Sequence, residues 1–351
     1  MLSRYVARVY LRYALLIMTA LVFFFVGMDL IGEADKLPDS ANLVFLYVAF
    51  QAAYSLETVL PLSLVFGAVA TKIHLIRMNE LVAAYSLGAS RVRVLMPFLA
   101  VSLLFAAVYI AASTTGFAYS GERAKAIKKD RFLSSVTHDL FLKYDNSYVY
   151  IKQLLPLQNE ARGLEILELE EGDLKRHLWA DRALFRQNAW HLESVTVITK
   201  PTVTGLQDEG ITVEHFPAYE ALTGFRPEIM DTIYEAKTAF SLVDAARAWL
   251  LLSSQQINTD RIRGVFYSSL FFPLFAPLFV AIMFFFVPIS SRFFNVAFFS
   301  SMAVLATLVS WGLLFALSQL ARNGTLQPEA GLLLPFLLTT LIAGYLLKKE
   351  L

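Results

Sequence analysis

Six apolar stretches dominate the hydropathy pattern, at roughly 11–31, 45–75, 94–115, 264–288, 294–320 and 331–347. Each can cross a bilayer as a helix, since about 20 residues at about 1.5 Å of rise cover a hydrocarbon core of about 30 Å. The second is long enough to tilt or protrude, and Pro61 is a natural kink point in it. The fourth is aromatic, uncharged and punctuated by Pro273, Pro277 and Pro288, which suits a wall against lipid. Between the third and fourth runs, at roughly 116–262, the period changes to two. "NSYVYIKQL", "GLEILELEEG", "HLWADRALFRQ", "AWHLESVTVITK" and "EGITVEHF" alternate apolar and polar residues between Gly, Asp and Asn turn signals. That pattern predicts a small antiparallel β-domain, a sandwich or jelly roll. Helical sequence flanks it: "SGERAKAIKKDRFLSSV" extends span 3 outward and "SLVDAARAWLLLSSQQINTDRIRG" leads into span 4.

Composition agrees with a membrane protein. Of the 351 residues 57% are hydrophobic and 17% charged, against about 45–50% and about 25% in soluble domains. Mean hydropathy is +0.55. The first run is too long for a signal-peptide core of about 7–15 residues and no small-x-small cleavage site follows it, so it is expected to stay as a span. The net charge of +1 and the lack of a basic run give no reason to expect nucleic acid. Without cysteine, disulfides and thiolate metal sites are excluded.

Lys and Arg in the short loops set the orientation. Arg4, Arg8 and Arg12 precede span 1; Lys72, Arg77, Arg91 and Arg93 lie between spans 2 and 3; Arg292 follows span 4; Lys348 and Lys349 end the chain. The alternate loops, "DLIGEADKLPDSAN" and "ARNGTLQPEAG", are poorer in both. Both termini are therefore expected in the cytoplasm and the β-domain outside.

Little in the chain suggests catalysis. "GFAYSGER", residues 116–123, has glycines at phosphate-loop spacing but lacks the Lys and Ser/Thr that hold phosphate and Mg²⁺. The five His residues form no HExxH, "HLE" at 191–193 has no Cys-containing partner motif, and no GxSxG elbow is present. No catalytic residue, metal or cofactor is expected, and energy has to come from another subunit. Asp29, Glu33, Asp35 and Lys36 at the outer end of span 1, and Glu57 before Pro61, fit either a polar cavity rim or ordinary interfacial charge. Lys36 alone among them could pair with an anionic head group.

The insert "RMNELVAAYSLGASRVRV", residues 77–94, interrupts two apolar runs on the expected cytoplasmic side. A helix from about 78 to 87 puts Glu80, Ala83, Ala84 and Leu87 on one face, with Leu81 and Tyr85 beside it. Gly88 stands where a helix C-cap needs positive φ, and Ser90 can cap the next span. The small alanines leave room for another protein and Glu80 offers it a charge; a plain interfacial helix has the same pattern.

This insert and the six-span architecture resemble the LptF/LptG (YjgP/YjgQ) permease family, the membrane half of the ABC exporter of lipopolysaccharide. The likeness covers essentially the whole chain, through "RYVARVYLR", "LPLSLVFGA", "ELVAAYSLGAS", "NSYVYI" and "FYSSLFFPLFAPL". "YSSLFFPL" and "NSYVYI" look more like LptG; "ANLVFLYVAF" and "LPLSL" look more like LptF; the balance leans to LptG. The resemblance implies six transmembrane helices with a periplasmic antiparallel β-jelly roll between helices 3 and 4. Residues 1–115 would hold spans 1–3, 116–262 the jelly roll with its connectors, and 263–351 spans 4–6. It makes the insert, about 77–90, a coupling helix docked in the LptB ATPase, with Arg77, Glu80, Ala83, Ala84 and Leu87 in that contact. Lipopolysaccharide contact falls to Lys36 and Val59. Lys36 matches a basic position of relatives at the rim, while Asp29 is acidic at another. Implied partners are the LptB dimer, the paired LptF or LptG, LptC and, indirectly, LptA, at a bacterial inner membrane. A permease for another lipid or lipoprotein, or a membrane protein binding a partner without transport, are the competing expectations.

Overall fold

A computed structural model describes residues 2–128, 137–144, 146–170, 172–201, 210–225, 227, 240–253, 258–287 and 295–349. Arg292 and Pro288 lie outside the described residues. The chain divides into two compact units. One is Met1–Lys128, Ala239–Trp249 and Asn258–Leu351; the other is Lys129–Thr238 with Leu250–Ile257.

In the first unit, α1 (Leu2–Gly32), α2 (Ala41–Arg77), α3 (Glu80–Ser86), α4 (Arg91–Ser113) and α5 (Ser120–Lys128) come before the β-domain. After it follow α6 (Leu242–Ser253), which runs from one unit into the other, α7 (Asp260–Phe286), α8 (Val296–Arg322) and α9 (Leu334–Lys349). A π-helical turn, Glu329–Leu333, leads into α9. Among the described residues six helices are long and apolar enough to cross a membrane, and each contains one of the six apolar runs or nearly all of it. Helix α2, with 37 residues, is about 55 Å long at about 1.5 Å per residue, well beyond the hydrocarbon thickness. Pro61, Pro97, Pro273 and Pro277 sit inside helices without ending them. Several Ser and Thr hydroxyls in the spans bond within their own helices, as when Ser63 donates to the Leu60 carbonyl at 2.9 Å and Thr71 to that of Gly67 at 2.7 Å.

Helix α2 is the centre of this unit: 78% of its most apolar window is buried, against 11% for α1. Phe23, Phe24, Leu104, Val309 and Leu341 are exposed, which fits helix faces turned to lipid rather than to water. The helices meet at small residues. A Cβ on Gly67 would lie 2.8 Å from the Ala14 Cα, and one on Gly264 would lie 2.3 Å from the Ala321 carbonyl oxygen. Backbone cannot yield as a side-chain tip can, so Gly264→Val is expected to push α7 off α8 at a cost of about 1–3 kcal/mol. A thermal melt of the detergent-solubilised protein checks this, and an unchanged midpoint would refute the close packing. Lys72, read above as a loop cation, is instead buried inside α2.

Span 3 does not run on into the connector. After Ser113 the chain turns, Thr115 caps a short 3₁₀ turn (Gly116–Tyr119) through the Phe117 N–H, and α5 begins afresh. Two threonines followed by glycine favour that break, because β-branched residues and Gly are weak helix formers.

The second unit holds one six-stranded antiparallel sheet. Its strands are β1 (Thr137–Tyr144), β2 (Ser147–Leu155), β3 (Glu160–Glu170), β4 (Asp173–Arg186), β5 (Ala189–Thr199) and β6 (Thr212–Ala221), paired in chain order. Residues such as Leu140, Val149, Ile151, Leu164, Ala180, Leu192 and Val195 form one fully buried face; the burial alternates along the strands and changes phase within β5 at Ser194, whose φ is 55°. Gln187 and Asn188 have positive φ and turn β4 into β5. The Trp190 Nε1–H donates to the Phe225 carbonyl at 2.7 Å, and the Tyr144 hydroxyl donates to that of Thr223 at 3.0 Å. The end of β1 thus meets the segment after β6, so the sheet rolls towards itself at that end. Among the described residues the connections are those of a meander, without the Greek-key crossings of a two-sheet jelly roll.

Candidate functional site

The insert forms a short, sharply bounded helix. Asn79 adopts left-handed φ of 57° and separates α3 from α2. At the other end Gly88 has φ of 84°; its N–H bonds to the Tyr85 carbonyl and the Ala89 N–H to that of Ala84, both at 3.0 Å. This is the paired closure of a Schellman motif. The Ser90 Oγ then accepts from the Arg93 N–H at 3.2 Å and starts α4.

The face predicted for partner contact is divided. Leu81 and Ala84 point into the protein and are buried, whereas Arg77, Val82, Ala83 and Leu87 are exposed, Leu87 to 88%. Glu80 lies at the boundary. Its Oε1 accepts from the Tyr5 hydroxyl of α1 at 2.8 Å, and its Oε2 is enclosed without a hydrogen-bond partner among the described residues. The outward surface therefore combines Arg77, Ala83 and Leu87 from the predicted set with Val82. Wheel geometry named neither Val82 nor the tether from Tyr5, because it cannot say which side of the helix meets the bundle.

A second cluster lies where α1 ends. The Lys36 Nζ pairs with Glu33 at 2.8 Å, and Lys128 of α5 reaches the same carboxylate at 3.1 Å. Contact with Lys36, then Lys128, holds the Glu33 carboxyl below the usual range, and Glu33 raises the Lys36 ammonium. Their mutual stabilisation is therefore present above the ordinary carboxylate range and is lost as the pH falls through the lowered Glu33 value. Lys36 stays 66% exposed, so an anionic group can reach it in exchange for Glu33. Lys128, 92 residues away in sequence and on another helix, was not legible as a rim cation. Asp29 accepts from the Tyr47 hydroxyl of α2.

Of the remaining expected residues, Val59 is fully buried in α2. Glu57, half-buried, pairs with the buried Arg322 at the end of α8, and Arg322 also bonds the Ser268 Oγ of α7.

The sequence model of one family, described as lipopolysaccharide export system permease LptF/LptG, matches residues 4–349. A search of individually curated proteins finds no match. A match over the whole length, on a chain with six apolar helices and an antiparallel sheet between the third and fourth of them, settles kinship: this chain belongs to the LptF/LptG family of lipopolysaccharide export system permeases.

Proposed function

We propose that this chain is the permease subunit of an exporter that draws lipopolysaccharide from the inner membrane under the power of a separate ATPase. The observation that carries the reading is α3. Its inner side is anchored by Leu81 and Ala84, and it presents Arg77, Val82, Ala83 and Leu87 to solvent between two spans. A chain that lacks a phosphate-binding loop but carries such a surface is built to receive work from a nucleotide-binding partner. That partner is an LptB dimer, and a second permease, LptF or LptG, completes the pair. We read this chain as the LptG type, on "YSSLFFPL" and "NSYVYI".

Both termini and α3 face the cytoplasm, and the sheet stands in the periplasm. Lipopolysaccharide enters sideways between the paired permeases, its acyl chains along apolar walls and its phosphates near Lys36. Val59 lies inside the helix bundle, so acyl contact there follows a parting of helices. Acyl burial is worth about 0.8 kcal/mol per CH₂ from water but little from lipid, where the tails are already solvated. Extraction must therefore be driven, and α3 is where the drive enters. The lipid then passes along the sheet to LptC and on to LptA.

Co-purification with the ATPase, with hydrolysis stimulated by lipopolysaccharide, tests the reading; an associated ATPase indifferent to lipopolysaccharide would count against it. For the rim, Lys36→Glu is expected to cut photo-crosslinking to lipopolysaccharide several-fold, since it sets a like charge beside the phosphates. An unchanged yield would remove Lys36 from the path.

A further inference from the structure

Lys72 is a buried cation that this mechanism does not yet use. It is 3% exposed and sits in α2, five residues before the helix ends beside α3. Its ammonium donates to the main-chain carbonyls of Phe284 and Val287 and stands 4.5 Å from the centre of the Phe284 ring. These carbonyls belong to the last turn of α7 and its C-cap, where a helix has no N–H left to offer and the negative end of its dipole gathers. An ammonium in apolar surroundings is strongly unfavourable unless acceptors of this kind enclose it.

Among the described residues an apolar cluster surrounds this contact, with Leu75, Ile76, Val280 and Met283 in it and Phe284 also packed on Phe98 of α4 at 5.4 Å between ring centres. Apolar helix surfaces slide past one another in lipid at little penalty, because lipid solvates them as well as a neighbouring helix does. A charged group bonded to two carbonyls has no such freedom. At the other end of the same interface, Arg322 bonds both Glu57 of α2 and Ser268 of α7.

We infer that Lys72 is the positioning residue that makes α2 and α7 one rigid lever, so that a displacement of α3 is carried into span 4 instead of being absorbed between helices. The inference rests on the coupling role proposed for α3. The clamp itself can be tested apart from that role.

The chain has no cysteine, so spin labels can be placed cleanly at Met78→Cys and Phe286→Cys, both exposed positions. In lipid discs without ATPase, Lys72→Met is expected to broaden the label-to-label distance distribution and Lys72→Arg to keep it narrow. Equal widths for Lys72 and Lys72→Met overturn the clamp whatever the ATPase does. In the full complex with Lys72 present, adding nucleotide is expected to move the labels together, with a distance change below the roughly 2 Å of ordinary interhelical adjustment. A larger change overturns the lever even if Lys72→Met does not fold. Lys72→Met should also release roughly fivefold to tenfold less lipopolysaccharide per ATP hydrolysed, with the ATPase still bound. Full transport efficiency in that variant refutes the inference, and a narrow distribution in a complex that does not transport faults the transport reading instead.

Discussion

Leu87→Asp is expected to release the ATPase subunit while leaving the permease folded and inserted. Leu87 is 88% exposed at the C-cap of α3, so its side chain adds little to this chain's own packing. Placing a carboxylate in a surface that becomes desolvated on docking leaves an unpaired charge there. A loss of about 2 kcal/mol or more, roughly thirtyfold in Kd, is the scale of such a central contact. Pull-down from solubilised membranes reads the association, and a thermal melt of the permease alone should be unchanged. Glu80→Ala is expected to weaken association too, but less cleanly, since it also deprives the Tyr5 hydroxyl of its acceptor. A Leu87→Asp permease that retains the ATPase at full stoichiometry would show that docking occurs elsewhere.

Arg322→Met is expected to be the most destabilising single change in the membrane unit. It abandons the Glu57 carboxylate among α2, α7 and α8 and removes the donor to Ser268. Breaking a fully buried pair from one side costs about 3–5 kcal/mol because the remaining charge is left uncompensated, and the partial exposure of Glu57 places this loss at or below the lower end of that range. The double variant Glu57→Gln/Arg322→Met removes that charge and is expected to recover most of the loss. Melting curves of the two single variants and the double in one detergent form the required cycle. Equal destabilisation of Arg322→Met and the double variant would mean that Glu57 is not the residue left stranded.

Local pattern carried much of the fold. Five strands followed from alternation, because a sheet with one buried face imposes that period on each strand. The sixth, β1, escaped because its buried positions Thr137, Leu140 and Leu142 change phase at Asp139, whose φ is 55°, and eight residues leave too short a run of alternation on either side. The pairing with β2 stays in register across this point, with His138 opposite Gln153 and Leu140 opposite Ile151. Helix α3 was equally legible at its ends, where Gly88 and Ser90 act within a few residues of themselves.

What the sequence determined by itself is thus whatever depends on near neighbours: six spans by length and apolarity, a β-domain by period, and a capped helix between spans 2 and 3. Tertiary structure alone decided which side of α3 faces out, that Lys128 joins Lys36 at Glu33, that Glu57 meets Arg322, and that Lys72 is interior. Arg322 lies 265 residues from Glu57, and Lys72 lies 212 from Phe284. No local periodicity links such positions. An ionisable residue in a span has to find a partner, but only the packing of the helices determines which one lies within reach.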